Sequence, residues 1–432
     1  MFILLLVPSL LFAETKEYLL KNGMKVLVVE DHKAPLATFQ IWYRVGAKDE
    51  PAGKTGMSHL LEHMMFKGTA KHGSKEFSNI VQRNGGMDNA FTTKDYTAYF
   101  QTLSSDRIGI SIEMEADRMQ NLLLNEADFQ SERKVVMEER RMRYEDDPEN
   151  SLYEEIIATS FKAHPYRWPV IGWMSDIANL KREDLVRHYR EHYAPANAFI
   201  VISGDLNGDS IISTIRDNFE QIPAGEKTAE YRTEEPVQQG EKVFYLEKEA
   251  ELPMVMMAYH VPAFPHEDSA ALDLLASILA GGKSSRLYTR IVQESGLAIS
   301  ADADYGGLYK DPFLFTFDST AAPGKDIEEL RKAIAAEIEK ITAAPPSEQE
   351  VQKAKNQVEA SFVFAEDSTY SRALYTGIFE MMGDWSLMDK YLEGVRKVKP
   401  EDVQRVAKKY LTEENLTVGI LKPVKKEMTN EK

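Results

Sequence analysis

The stretch LKREDLVRHYREHYAPANAFIVIS, residues 180–203, aligns without a gap with VKPEDVQRVAKKYLTEENLTVGIL, residues 398–421. Lys181 falls on Lys399, Glu183 on Glu401, Asp184 on Asp402, Arg187 on Arg405, Asn197 on Asn415 and Ile202 on Ile420. Apolar positions follow the same register, Leu185 with Val403 and Ile200 with Val418. Each copy reads as an amphipathic helix, a short turn and a strand. So long an interval between two copies points to a duplicated half-chain and excludes a short-period solenoid. The chain of 432 residues is therefore expected to fold as two homologous α+β domains of roughly 200 residues each. Each domain should hold a mixed, mostly antiparallel sheet flanked by helices.

The boundaries follow from composition along the chain. PAGEKTAEYRTEEPVQQGEK, residues 223–242, is polar and aperiodic, so it reads as a linker between a first domain at 14–222 and a second at 243–425. The closing PVKKEMTNEK reads as a frayed tail. At the other end, MFILLLVPSLLFAETKE carries an apolar run from Phe2 to Phe12. That is the length of a signal-peptide core and too short to span a bilayer. We expect an export signal at 1–13 cleaved near Ala13, although the basic leader is missing and Leu11 is large for its position. The mature protein is then expected outside the cytoplasm, in a bacterial periplasm, and no later segment is apolar enough to cross a membrane.

Charge and cysteine usage narrow the chemistry. The net charge is −17 and no Lys/Arg-rich run occurs, so nucleic acid is excluded as a partner class. There is no cysteine, which removes disulfides, thiol nucleophiles and Cys-ligated zinc. A metal must be held by histidine and carboxylate.

Such a set is present. In HLLEHMMFKGT the imidazoles of His59 and His63 stand four apart, with Glu62 beside the second. On a helix over 58–66 these three share one side, and Leu60, Leu61, Met64 and Met65 fall mostly on the other. An i,i+4 histidine pair can hold one zinc ion, and a catalytic zinc needs a third protein ligand and an open position. Downstream, NEADFQSERKVVMEERRMRYEDDP reads as a helix from a cap at Asn125 to a stop at Asp147-Pro148, with Glu132, Val135, Val136 and Glu139 on one stripe. Carboxylates on a stripe shared with valines are costly unless paired or metal-bound. A solvated helix face accounts for Glu138 and Arg140. The same H-x-x-E-H spacing recurs in HYREH at 188–192. The internal repeat maps that helix onto VAKKY at 406–410, which has no ligand, so the second motif reads as scaffold on a solvated face.

The first half should otherwise begin with a hairpin, YLLKNGMKVLVVED, turning at Asn22-Gly23, followed by a strand ATFQIWYRVG. FTTKDYTAYFQTL reads as one further strand.

GMSHLLEHMMFKGT, ERKVVMEERRMRYEDDP seventy-six residues on, and NGGMDNAFTTKDYTAYF together resemble the pitrilysin/insulinase family of inverted zincins. That family includes bacterial relatives of the mitochondrial processing peptidase β-subunit. The resemblance extends into the second half at GGKSSRLYTRIVQESGLA. It implies a zinc metallopeptidase acting on short or unfolded peptides, with one Zn2+ per chain held by His59, His63 and Glu139. Glu62 would be the general base, and Glu132 a supporting carboxylate of the catalytic set on the same helix as Glu139. Asn89, Ala90 and Phe91 would belong to an edge strand that pairs with the substrate backbone.

One departure stands out. Active relatives carry an Arg and a Tyr seven apart in the second half, and the matching positions here are Val292 and Ile299. Arg286, Tyr288, Arg290 and Tyr305 lie nearby but out of register. The resemblance then implies a heterodimer whose homologous second subunit supplies the missing pair; a homodimer is the other possibility. Competing readings are a non-catalytic or weakly active binding subunit of an assembly, and a purely structural zinc. The second needs a fourth side-chain ligand, and none is evident in the sequence.

Overall fold

The computed structural model describes residues 15–228, 232–365 and 367–424. The export signal read at 1–13, and the tail beyond 424, lie outside the described residues. Eleven strands among the described residues form two sheets. The first holds β1 (Thr15–Leu19), β2 (Lys25–Glu30), β3 (Leu36–Tyr43), β4 (Met87–Thr92), β5 (Thr97–Ser104) and β6 (Ala198–Gly204). The second holds β7 (Lys242–Glu249), β8 (Met254–Val261), β9 (Ala298–Tyr305), β10 (Phe313–Ala321) and β11 (Leu416–Val424).

The strand orders are β1-β2-β6-β3-β5-β4 and β7-β11-β8-β10-β9. Leaving out the outer β1, the two orders superimpose strand for strand. In each sheet a single parallel pair, β2 with β6 and β7 with β11, sits among antiparallel ones. The repeat read in the sequence is thus a repeat of topology. It extends to individual bonds. The Asp184 carboxylate accepts from the Lys181 amide at 3.0 Å, starting helix Arg182–His192, and Asp402 accepts from Lys399 at 2.9 Å, starting helix Pro400–Tyr410. The amide of Asn197 donates to the His192 carbonyl at 3.0 Å, and that of Asn415 to the Tyr410 carbonyl at 2.8 Å.

Both faces of each sheet are covered. β6 is buried along its whole length, which is why AFIVISG reads as a continuous apolar run and not an alternation. One face of the first sheet packs on its own helices around Phe39, Ile41, Leu60, Leu61 and Met64. The other face, with Leu27, Trp42, Phe199 and Val201, is covered from the second half by Ala373, Phe379 and Met381 of helix Thr369–Met382. The exchange is reciprocal. Helix Pro148–Ser160 of the first half sets Leu152, Ile156 and Ile157 on the back of the second sheet, against Met254, Met256, Ala258 and Leu421. Gly377 permits the closest of these approaches, since a Cβ there would stand 2.3 Å from the Trp42 ring. Charges seal the seam: Glu380, 2% exposed, receives Lys25 at 3.2 Å and Arg44 at 2.8 Å from the first sheet.

Three local expectations change. FTTKDYTAYFQTL is not one strand; it is the end of β4, a turn and β5. The hydroxyl of Thr93 accepts from the Asp95 and Tyr96 amides at 3.1 Å each, closing a turn that residue periodicity does not register. The helix after Asn125 runs from Glu126 to Arg140 and then widens into a π-helical turn, Arg141–Glu145. Asp147-Pro148 begins the next helix, its carboxylate accepting from the amides of Glu149 and Asn150 at 2.9 Å each. Val135 is 46% exposed, whereas Arg140, expected on a solvated face, is buried and bonded to Glu154 at 2.8 Å, so the buried stripe of the Glu126–Arg140 helix is Phe129, Glu132, Val136 and Arg140.

The helix carrying the first H-x-x-E-H motif, Met57–Met64, has a built foundation. The buried carboxylate of Glu50 accepts from the amides of Gly56 at 2.7 Å and Ser58 at 2.6 Å, capping the first turn. Burial pushes the Glu50 carboxyl up to about 8, against the pull of those two donors. Gly56 takes φ +88°, and a Cβ on it would meet the Ile171 carbonyl at 2.4 Å. Replacing Glu50 by Gln leaves one acceptor oxygen for two buried amides. We expect a loss on the order of 1–3 kcal/mol, read as a lower denaturation midpoint for Glu50→Gln with the sheet content unchanged.

Candidate metal centre and active site

The motif helix and the Glu126–Arg140 helix pack together and bring their polar residues to one point. One ring nitrogen each of His59 and His63 and a carboxylate oxygen of Glu139 all lie within 4.8 Å of one another, the only such group of three or more among the described residues. His59 Nε2 is 3.8 Å from Glu139 Oε1, and His63 Nε2 is 3.3 Å from Glu139 Oε2. Ligands about 2.0–2.1 Å from a tetrahedral zinc stand roughly 3.3 Å apart, so the His63 separation matches that ion and the His59 separation is slightly wider. Two imidazole nitrogens and one carboxylate oxygen also make a His2Glu set, which leaves a position open.

Each donor is tuned by what surrounds it. Burial lowers the His59 imidazole to about 4, with the neighbouring His63 adding to the fall, so His59 is neutral and ready to ligate. His63 is driven the other way: burial would lower it, but its bonds to Glu132 and Glu139 prevail and raise it to about 9. Glu132 Oε2 stands 3.2 Å from His63 Nδ1, which directs Nε2 toward Glu139. Lys67 Nζ holds the other oxygen of Glu132 at 2.5 Å. Glu139 sits below the usual carboxylate range; burial opposes this, and the His63 bond and nearby cations outweigh it. Arg143, on the π-helical turn, reaches Glu139 Oε1 at 3.1 Å.

Glu62 lies beside this group and touches none of the same partners. Its Oε2 accepts from the Thr92 hydroxyl at 2.5 Å, and burial raises its pKa above the ordinary value.

Thr92 ends β4, the outermost strand of the first sheet, so Asn89, Ala90 and Phe91 lie on an edge that is unpaired on one side among the described residues. Asn89 is exposed, and its side-chain oxygen accepts from the Ala90 amide at 2.9 Å. Phe91 points away from the motif helix, opposite to Ala90 and Thr92, against Trp42 and Tyr96. Beside Thr92 a cavity of about 250 Å³ opens at the seam between the halves, lined chiefly by Tyr144, Tyr153, Ile157, Pro169 and Tyr309.

The rival motif is placed differently from its reading as a solvated face. His188 and His192 are 3% and 7% exposed, and His188 Nε2 is 3.1 Å from the Ser58 hydroxyl at the root of the motif helix. Leu185, His188, Tyr189 and His192 form the buried stripe, a helical spacing that the flanking Arg187, Arg190 and Glu191 obscure. No carboxylate completes a ligand set there among the described residues. In the second half, Val292 is half-buried against the core and Ile299 is 55% exposed. Three of the four polar neighbours are engaged elsewhere: Arg286 with Glu350 at 2.7 Å, Arg290 with Glu294 at 2.6 Å, and the Tyr305 hydroxyl with the Pro262 carbonyl at 2.7 Å.

Comparison with known proteins agrees with the geometry. Residues 25–172 match the sequence model described as Insulinase (Peptidase family M16), and residues 179–358 match the one described as Peptidase M16 inactive domain. The chain is 34% identical to the zinc protease PqqE of Helicobacter pylori over 94% of its own length and 92% of that protein's. The chain belongs to the insulinase family of peptidases, M16. A crystal structure of a protease from Helicobacter pylori superimposes with a TM-score of 0.92 at 33% identity, covering 95% of this chain and 100% of that one. The fold also recurs in the periplasmic protease PqqL of Escherichia coli, with a TM-score of 0.80 and 16% identity, covering 95% of this chain and 48% of that one. The two-domain M16 architecture is thus the fold expected from the repeat, and no helix among the described residues is long and apolar enough to cross a membrane.

The charge state of His63 gives a measurable signature. A metal ligand must be deprotonated, and His63 holds its proton up to about pH 9 when no ion is bound. Zinc binding at neutral pH should therefore release about one proton per ion, and affinity should rise with pH up to that value. Calorimetry in buffers of different ionisation enthalpy measures the release; a value near zero would contradict this account of His63.

Proposed function

We propose that this M16 protein is a zinc metalloendopeptidase that hydrolyses short or unfolded peptides, with His59, His63 and Glu139 holding one zinc ion and Glu62 as general base. One observation carries the reading: three donors of the right kind converge within 4.8 Å, with a fourth, independently held carboxylate at their side. A bound zinc would supply Lewis acidity toward the peptide carbonyl and lower the pKa of water.

The rest is work for the chain's own residues. Glu62 accepts the proton of the attacking water and delivers it to the departing amine. Its raised pKa suits both halves of that task. Glu132 fixes the orientation of His63 and is itself fixed by Lys67. The open edge of β4 receives the peptide backbone as an added strand, a substrate carbonyl taking the Ala90 amide from the Asn89 side chain. Backbone pairing tolerates many sequences. The aromatic-lined cavity beside Thr92 would select an apolar side chain.

We read the chain as the metal-bearing subunit of a heterodimer. Val292 and Ile299 offer no hydrogen bond to a developing oxyanion, and the nearby Arg286 and Tyr305 are committed to other bonds. A homologous subunit that contributes an Arg and a Tyr would complete the site. The same two aliphatic residues favour the second reading, a non-catalytic or weakly active binding subunit. The exported, periplasmic location stays part of the proposal and rests on the apolar run Phe2–Phe12.

Zinc content and cleavage of a quenched fluorescent peptide distinguish the readings. Glu62→Gln should keep its zinc and lose kcat by about 10²–10⁴-fold. Glu139→Gln should lose most of the metal. A wild-type protein that carries zinc yet cleaves no peptide, alone or with a homologous subunit, would favour the binding role.

A further inference from the structure

The geometry points to Thr92 as the positioning residue of the general base, an inference that rests on the peptidase reading. Three observations carry it. First, the Thr92 hydroxyl donates to Glu62 Oε2 at 2.5 Å, a charge-assisted bond that occupies that oxygen and leaves Oε1 to take the proton. Without it, the Glu62 carboxylate is free to rotate about its terminal torsion, which is broad for glutamate. Second, Thr92 is seated by its strand partner. Thr97 directly opposes Thr92 across the β4–β5 pair, donates to the Val45 carbonyl at 3.0 Å and lies 3.4 Å from the Thr92 oxygen.

Third, the turn that follows Thr92 is bolted to both halves of the chain. Asp95 accepts from the Tyr166 hydroxyl at 2.6 Å, pairs with Lys48 at 2.7 Å, and receives the Lys310 backbone amide of the second half at 3.1 Å. Lys94 Nζ donates to the Tyr166 and Trp168 carbonyls at 2.6 and 2.8 Å. A Cβ on Gly46 would meet the Lys94 backbone at 2.6 Å, so the turn rests directly on the segment before the motif helix. The strand that would align the peptide is therefore the strand that aims the base, two residues from Ala90. Substrate register and base orientation are set by one rigid element.

The test uses zinc-loaded full-length protein, with any required second subunit, and the fluorescent peptide that the wild type cleaves. Thr92→Val keeps the shape and removes the donor. It should lower kcat by about tenfold, the effect of one charge-assisted hydrogen bond, with KM and zinc content unchanged. Thr92→Ser restores the hydroxyl and should recover most of kcat. Combining Thr92→Val with Glu62→Gln should cost nothing beyond Glu62→Gln alone. If Thr92→Val does not fold, Thr92→Ala set against Thr92→Ser gives the same contrast. A kcat in Thr92→Val equal to wild type, or a Thr92→Ser as impaired as Thr92→Val, overturns the inference and leaves the peptidase reading standing. A zinc-loaded wild type that cleaves nothing overturns the peptidase reading and takes this inference with it.

Discussion

The placement of Glu139 depends on an exchange of helices between the two halves. The helix that carries it passes through the π-helical turn Arg141–Glu145 into Pro148–Ser160, and that second helix lies on the back of the other half's sheet. In return, Thr369–Met382 covers the back of the first sheet over Trp42 and Phe199. Each buried side chain of this kind contributes about 1.5–3 kcal/mol relative to exposure. The two sheets therefore cannot separate without stripping an apolar face on each. The Glu126–Arg140 helix is braced by the fold as a whole and not by the first half alone. The π-helical turn is a local departure from the 3.6-residue period at the junction of site and scaffold, where such turns are often found.

Within that frame, one scaffold has been used twice and given a His/Glu donor set once. The second half repeats the strand order, the helix starts at Lys181 and Lys399, and the asparagines at 197 and 415. Between β8 and β9, where the first half has its motif helix between β3 and β4, runs Ser269–Ala280 with the sequence SAALDLLASILA and no imidazole. The donors that set the first half apart are held in opposite charge states by their neighbours. His59 is kept neutral by burial, and His63 is kept charged by two carboxylates. A divalent ion would replace the proton on His63 and the repulsion between the rings in one step.

Much of this was legible in the sequence because it rests on periodicity and residue type. The duplication needed only a gapless alignment; the i,i+4 spacing of His59 and His63 and two carboxylates seven apart on a second helix offered the donors, and the resemblance to the insulinase family singled out Glu139 as the third ligand. What stayed hidden depended on tertiary neighbours. HYREH looked solvated because three charged residues flank its histidines, yet the helix turns those imidazoles inward, His188 onto Ser58. Val135 looked like core and faces solvent, since the Glu126–Arg140 helix buries a narrower stripe than its valines suggest. The turn at Thr93–Tyr96 is closed by a threonine hydroxyl, which has no periodic signature. The bond between Thr92 and Glu62 joins residues thirty apart on different elements, and no spacing rule anticipates it.

The central claim is that this chain holds one divalent ion through two imidazoles of one helical turn and a carboxylate from another helix. A crystal of the zinc-loaded protein, measured at the zinc absorption edge, tests it most directly. The account predicts one strong anomalous peak per chain, within bonding distance of His59 Nε2, His63 Nε2 and a Glu139 oxygen. A peak at His188 and His192 instead, or a fully loaded protein with no peak between those three residues, would contradict it.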